Sequence, residues 1–422
     1  MSTAVLFSPV PRTLAHSSLG FHAACAGLQP CERAALPPSG PPRAIESGRP
    51  ISDFDVILAS VAWEPEVLAL ASSLRLAGVE PRRDRRPPTD PVLLGGGPVT
   101  LSNPDLLACV CDAVFVGEAE EAFGAIRAAI DSASDRDDLL CRLAALPGMH
   151  VPAVHGDAPP PPPARAGERC LPAHTVLADE SNEFGDCFLV EVGRGCPRGC
   201  AFCVARAQGR ARFVPAGRIV AAVPAATRRV GLLGAAVSDH PEIEDLVDTF
   251  ARRGVGVTLG SVRADRLTPR LLRSLVAAGL RTLTVAADGP SEASRERLHK
   301  GIHAEDLERA AELARETGVS RLKVYVMVGL PGETGADIDE FAALVRRLSS
   351  RVRVAVSVSP FVPKRFTPMA DAPFAGAPDL KRRLAELRRA IRGSAAMKAT
   401  SPREAELEWR LSHARELPAI TG

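Results

Sequence analysis

Three thiols carry the most specific chemistry in this sequence. Cys196, Cys200 and Cys203 lie in the run Glu191-Val-Gly-Arg-Gly-Cys-Pro-Arg-Gly-Cys-Ala-Phe-Cys203, with three and then two residues between them, just after a short apolar stretch. Soft thiolates select zinc, cuprous copper or iron–sulfur clusters, and three of them on so tight a loop can face one point. A cubane cluster held by three ligands keeps one iron without a protein ligand, and an open iron is a place for chemistry. Plainer readings compete. Structural zinc asks for four ligands, usually as two separated pairs, and no second pair with such spacing lies downstream. Buried structural thiols would need no particular spacing. A non-catalytic electron carrier coordinates every iron and needs a fourth Cys nearby; Cys187 is on offer, but at the start of the preceding strand, the far end from the loop.

Other residues could serve a ligand near those thiols. Gly329-Leu-Pro-Gly-Glu-Thr334 follows the apolar run Val324 to Val328. Gly329 and Gly332 permit close approach of the backbone to a ligand, and Thr334 can cap the next helix. Ser261 and Arg263 follow another strand, where an Arg can grip a carboxylate with two parallel hydrogen bonds or simply form a surface salt bridge. Asp288, in Ala287-Asp-Gly-Pro-Ser291, can accept hydrogen bonds from a ligand or cap a helix starting near Ser291. Lys300 reads as a solvated lysine at a helix end.

The elements that must position these groups alternate between strand and helix. Residues 1–50 are rich in Pro, Gly, Ala and Ser without sustained period, and read as an irregular extension. From Asp55 onward, strand–helix units begin at Val56, Val92 and Ala113, which implies a small parallel sheet over 51–150 with helices on its faces. The Pro-rich stretch around His155-Gly-Asp-Ala-Pro-Pro-Pro-Pro-Pro-Ala164 favours extended chain and marks a linker over 151–185. Six further strands are expected near 188–192, 230–233, 255–259, 282–286, 321–328 and 352–357. Helical segments between them imply an incomplete parallel (β/α)6 barrel over 186–362, since a full one has eight units. In such a barrel the chemistry sits on the loops after the strands, which is where the cysteines fall. The tail, 363–422, reads as a helical extension, with Leu384, Leu387 and Ile391 at helical spacing.

Composition narrows the class. The chain of 422 residues is 46% hydrophobic and 24% charged, ordinary for folded globular protein, and 52 basic against 50 acidic residues leave a formal charge of +2. That balance supplies no net field towards nucleic acid or membrane. A single Tyr and two Trp would make a poor stacking surface for nucleic acid. The ten Cys show no disulfide framework. No signal peptide is evident, and no run of about 18 apolar residues suggests a membrane span. The expectation is a cytoplasmic protein.

The run Cys196-Pro-Arg-Gly-Cys200-Ala-Phe-Cys203 resembles the cluster motif of the radical S-adenosylmethionine (SAM) superfamily, three Cys with an aromatic before the third. Leu232-Leu-Gly-Ala-Ala-Val-Ser-Asp-His-Pro241, Gly260-Ser-Val-Arg-Ala-Asp265, Lys323 to Thr334 and Ser359-Pro-Phe-Val-Pro-Lys364 resemble successive strand-end motifs of one branch, in which a cobalamin-binding-like domain precedes the barrel. The likeness covers roughly residues 50 to 410. It implies a 4Fe–4S cluster on Cys196, Cys200 and Cys203 whose free iron is chelated by SAM. It also implies reductive cleavage of SAM to a 5′-deoxyadenosyl radical, and an external one-electron donor of flavodoxin or ferredoxin type. By the same resemblance Phe202 packs near the adenine, Ser261 and Arg263 meet the SAM carboxylate, Asp288 stands where the branch has Glu in a Pro-Glu-Ala-Gly-Ser-like run, and Gly329, Gly332 and Glu333 support the adenosyl moiety.

For the N-terminal domain, Leu93-Leu-Gly-Gly-Gly-Pro98 and Val116-Gly-Glu118 resemble strand-end turns of cobalamin-binding domains. The Asp-x-His-x-x-Gly signature that brings an axial His to cobalt is missing. Bound cobalamin would make methyl transfer the natural reaction. Phe361-Val-Pro-Lys-Arg-Phe-Thr-Pro368 resembles a segment of radical methylthiotransferases, which also carry a second cluster triplet that this sequence lacks. The substrate is not named by any motif.

Overall fold

The computed structural model describes residues 3–177 and 181–418. The chain divides into two compact units, one of residues 1–189 with 411–422, the other Val190–Arg410. Among the described residues no helix is long and apolar enough to cross a membrane.

The first unit is built on a six-stranded sheet. Its strands are β1 (Ala4–Pro11), β2 (Glu32–Leu36), β3 (Val56–Ser60), β4 (Val92–Gly96), β5 (Ala113–Phe115) and β6 (Met149–His150), in the order β2-β1-β3-β4-β5-β6. All neighbours pair in parallel except β6, which runs antiparallel to β5. Continuous apolar runs suit strands covered on both faces. Along β3, Ile57 and Ala59 enter one core and Val56 and Leu58 the other. Residues 1–50 are therefore not an irregular extension. They supply β1, the strand between β2 and β3, and the helix Leu19–Gly27. Pro9 and Pro11 hid that strand from a reading of its sequence, yet the pairing with β3 ends at Phe7, so neither proline removes a donor from that ladder.

The second unit is the expected partial barrel. Its parallel strands are β7 (Phe188–Glu191), then, after the short antiparallel pair β8 (Gly193–Arg194) and β9 (Arg212–Phe213), β10 (Arg229–Leu233), β11 (Gly256–Leu259), β12 (Thr282–Asp288), β13 (Arg321–Val328), β14 (Val354–Pro360) and β15 (Ala395–Ala399). They form sheets β7-β10-β11 and β12-β13-β14-β15, joined by a parallel bridge between Val262 and Val285. The tail expected to be helical contains β15, which pairs in parallel with β14 between the helices Ala377–Ala390 and Pro402–His413. Its Ala-Ala-Met-Lys-Ala sequence is no strand by propensity; the open edge of β14 makes it one. Strand β13 shows how the barrel is filled. Leu322, Val324, Val326 and Val328 are buried in the core beneath the helices, while Lys323, Tyr325 and Met327 face the other way and are half-buried.

Candidate functional site

The cysteine loop leaves the barrel after β7 on a stem made by β8 and β9. Gly195 turns it with φ +79°, and a Cβ there would stand 2.9 Å from the carbonyl oxygens of Gly209 and Arg210. The Gln208 side-chain oxygen accepts from the Gly195 amide at 3.2 Å. Two contacts then dock the loop on the barrel rim. The Ala201 amide donates to Leu298 O at 2.9 Å. Arg198, between the first two cysteines, binds the buried carboxylate of Asp239 after β10. Arg266 shares that carboxylate at 3.3 Å, and Arg198 lies 3.8 Å from Asp265 after β11.

Cys200 is buried, Cys196 and Cys203 are half-buried, and all three are free thiols. Burial pushes the thiols of Cys200 and Cys203 up, and the charges of Lys300 and Arg263 pull that of Cys200 back down. Among the described residues no three Cys, His, Asp or Glu side chains already converge as a metal site. The donor set nonetheless fits an iron–sulfur cluster in type and number, on a loop anchored by its stem and by two rim contacts. Final convergence of ligands commonly comes with the metal itself. Cys187 is buried at the foot of β7 and keeps its separate place.

The other sequence candidates divide into groups that face the loop and groups spent elsewhere. Phe202 packs with Leu298, Leu330 and Phe361, which joins the cysteine loop to the turns after β13 and β14. Asp288 ends β12 with φ +59°, a left-handed backbone rare for a non-glycine residue. Its carboxylate meets Lys300 Nζ at 2.6 Å, both side chains largely buried. Lys300 is thus no solvated helix-end lysine. Asp288 is no helix cap either, because Ser291 caps its own helix by accepting from the Ser294 amide at 3.1 Å.

Arg263 is not offered to a ligand in this arrangement. Its guanidinium binds Asp265 through Nε at 2.9 Å and through Nη2 at 3.2 Å, and Nη2 also donates to the carbonyls of Lys300 at 3.0 Å and Gly301 at 2.9 Å. Ser261 is exposed on the same strand end. Glu333 turns inward on its own loop: it accepts from the Gly329 amide at 3.0 Å and pairs with Arg383 at 2.6 Å. Burial raises its carboxyl above the ordinary value, with Arg383 and the Gly329 amide opposing. Gly329 has φ +81°, and a Cβ there would lie 2.5 Å from Leu380 Cδ2, so this glycine serves packing. Gly332, φ +72°, has nothing within 4 Å of where a Cβ would stand and is the open one. Thr334 begins the helix Gly335–Ser349, its amide and hydroxyl held by Asp337 at 2.7 and 2.9 Å.

A parallel partial barrel with a three-thiol loop on its C-terminal rim defines a class of cluster-binding enzymes, and the comparisons with known proteins agree. Residues 190–345 match the Radical SAM superfamily, and residues 32–152 match the N-terminal region of radical SAM proteins. The chain belongs to the radical SAM superfamily, whose members carry a 4Fe–4S cluster and bind SAM. An uncharacterized protein of Methanocaldococcus jannaschii is 36% identical over 195 residues, 44% of this chain and 43% of that protein. The cobalamin-dependent SAM radical enzyme OxsB, solved with aqua-cobalamin and SAM bound, is similar in fold with a TM-score of 0.57 at 14% identity, covering 93% of this chain and 56% of OxsB. Its structure with aqua-cobalamin alone gives 0.57 at 14%, covering 97% and 61%. The chain thus spans less than half of the archaeal relative in the matched region and about three-fifths of OxsB. The likeness to OxsB is one of fold, with a cobalamin-binding-like N-terminal domain.

The strand-end turns of the first unit bear on its fit to cobalamin. A Cβ on Gly95 would stand 2.6 Å from Cys111 Sγ, one on Gly97 2.4 Å from Val61 O, and one on Gly117 2.4 Å from Ala164 O. These glycines make room for the chain itself. The segment after the proline run lies along the end of β5, with the Ala164 amide donating to Val116 O at 2.8 Å and the Glu118 amide to Ala164 O at 3.0 Å. Near the end of β4, Asn103 Nδ2 donates to Leu411 O and Ala414 O at 2.8 Å each. Packing within this unit therefore accounts for Gly95, Gly97 and Gly117 without a ligand.

Proposed function

We propose that this chain is a radical SAM enzyme whose cluster is held by Cys196, Cys200 and Cys203, and whose reaction does not depend on cobalamin. The observation that carries the reading is the docking of the three-thiol loop, through Ala201–Leu298 and Arg198–Asp239, beside the Asp288–Lys300 pair on the C-terminal rim of the barrel. When bound and reduced by one electron, a 4Fe–4S cluster supplies reductive cleavage of SAM to a 5′-deoxyadenosyl radical that takes a hydrogen atom from substrate.

The chain's own part is positioning. Phe202, Leu298, Leu330 and Phe361 form an apolar wall against which an adenine can lie and from which water is excluded. Gly332 leaves backbone open to the cofactor, while Glu333 and Arg383 hold that turn in shape. Asp288 and Lys300 place one anion and one cation beside Cys200 for the polar end of SAM. Arg263 acts as a strut, tying the turn after β11 to Lys300 and Gly301. The electron comes from an external flavodoxin- or ferredoxin-type donor.

Anaerobic reconstitution tests this. About four irons per chain should bind, be lost in each of Cys196→Ala, Cys200→Ala and Cys203→Ala, and persist in Cys187→Ala. Dithionite with SAM should then yield 5′-deoxyadenosine. A full cluster that never cleaves SAM would sink the proposal.

A further inference from the structure

Tyr325 is the chain's single tyrosine, and lysines are almost as scarce: the sequence has five, at 300, 323, 364, 381 and 398, against 47 arginines in the total of 52 basic residues. Two of the five stand on the inner face of the barrel with that tyrosine. The strand registers place Ala286, Tyr325, Ser357 and Lys398 in one row across β12 to β15. Lys323 points to the same side two residues below Tyr325, and its Nζ donates to Tyr325 Oη at 3.0 Å while lying 4.6 Å from the ring centroid. The opposite face of these strands is buried under helices, and Ala395, Met397 and Ala399 of β15 pack against that core. Lys398 therefore projects inward with Ser357, and neighbouring strands about 4.8 Å apart put it roughly 10 Å from Tyr325 along the row.

A closed barrel fills this space with bulky branched side chains. Here two successive inward rows, Thr284-Lys323-Ala355-Ala396 and Ala286-Tyr325-Ser357-Lys398, consist of small residues apart from the tyrosine and one ammonium group each. The carboxylate at the mouth of the same face, Asp288, is held by Lys300. Neither Lys323 nor Lys398 forms an ion pair with a described residue. Lys323 is half-buried and Lys398, on the edge strand, is exposed, so the pair sets one covered and one open positive charge on the same face, a field that attracts an anion. Because Lys323 donates to the phenol oxygen, the Tyr325 O–H remains directed as a donor. Lysine, a compact charge on a long stem, reaches such a space where the wide guanidinium used across the rest of this chain does not.

We propose that this inner face, below the cysteine rim, is an oxyanion-binding site, and that the substrate presents a carboxylate or phosphate to Lys323, Lys398 and the Tyr325 hydroxyl. The assignment rests on the radical-enzyme reading for the identity of its ligand as substrate. It rests on the barrel alone for the existence of the site.

The test uses the reconstituted full chain with its lysines converted to 13C-dimethyl-lysine, which keeps their charge. Five lysine signals are assigned through single Lys→Arg variants and followed during titration with inorganic phosphate and, separately, with succinate. The Lys323 and Lys398 signals should move together and saturate with at least one probe, while Lys381 on the helix Ala377–Ala390 drifts linearly. Response to phosphate alone assigns a phosphoester, response to succinate alone a carboxylate. Lys323→Met should weaken the response at Lys398 at least tenfold, and Tyr325→Phe about three- to tenfold, with iron content unchanged. Lys323 and Lys398 signals that merely track Lys381 with both probes would overturn the site and leave the radical reading intact. Saturation in a chain that takes up no iron would keep the site and remove the radical reading.

Discussion

Both units end their parallel strands in glycine-bearing turns, and those turns face different things. In the first unit the space at Gly95, Gly97 and Gly117 is taken by Cys111, the Val61 carbonyl and the Ala164 carbonyl. In the second, Gly199, Gly260 and Gly332 meet nothing within 4 Å, and the same rim gathers three thiols and the pair of Lys300 with the left-handed Asp288. A strand-end crevice is a ligand site in parallel α/β folds only while the chain leaves it open. Glycine thus has two uses here: it accommodates the chain itself at all three of these first-unit turns and at Gly195 and Gly329 of the second, and only the second unit's rim adds Gly199, Gly260 and Gly332 with open space before them.

The contrast can be broken most severely at the thiols. Cys200→Ala should abolish the brown chromophore, bound iron and all SAM cleavage; cleavage retained in that variant would show the cluster lies elsewhere. On the other side, hydroxocobalamin passed with the protein through gel filtration should separate from it, and a stable one-to-one absorbance complex would reverse the assignment of the filled turns. Next in size is Glu333→Ala, which leaves two buried loop amides without their acceptor and Arg383 with Asp379 as its remaining carboxylate: at about 1–3 kcal/mol for each buried donor left unsatisfied the cost should be about 3 kcal/mol, measurable by urea unfolding.

Glycine substitutions sharpen the comparison directly. Gly117→Ala combines φ +97° with a 2.4 Å clash against backbone and should cost about 3 kcal/mol or more. Gly332→Ala meets only the strain of φ +72° and should cost about 1 kcal/mol while weakening SAM binding. Equal costs would erase the distinction between filled and open turns.

The smallest effect lies in the first unit. Burial lowers the pKa of His22 below its ordinary 6.5, and the ring is held neutral, with Nε2 2.9 Å from His16 O and Nδ1 accepting from the Val176 amide at 3.4 Å. Below the unfolded pKa the denatured chain binds the proton first, so stability present at pH 7.5 should fall as pH drops past 6.5. The slope is at most about 1.4 kcal/mol per pH unit for this one group. His22→Gln should flatten that slope; an unchanged profile between pH 7.5 and 5.5 would dismiss the residue's part in it.

Much of the architecture was legible locally. The apolar runs near 188, 230, 255, 282, 321 and 352 announced six barrel strands, and the cysteine spacing announced the loop between the first of them and the next. What was misread had its cause outside the local sequence. β1 hides behind prolines that its β3 ladder never uses, and β15 has a weak strand sequence that exists because β14 offers an edge.

The sequence by itself determined the donor atoms, since three thiols within eight residues must share a loop whatever surrounds them. Only the tertiary structure decided how the charged candidates are used. Arg263 serves Asp265 and two carbonyls, Glu333 serves its own turn and Arg383, and Lys300 comes to Asp288. Charge pairing depends on groups brought together from distant segments, and desolvation on what covers them. Neither is written in the spacing of neighbours along the chain, and the same holds for whether a strand-end glycine faces a ligand or the protein itself.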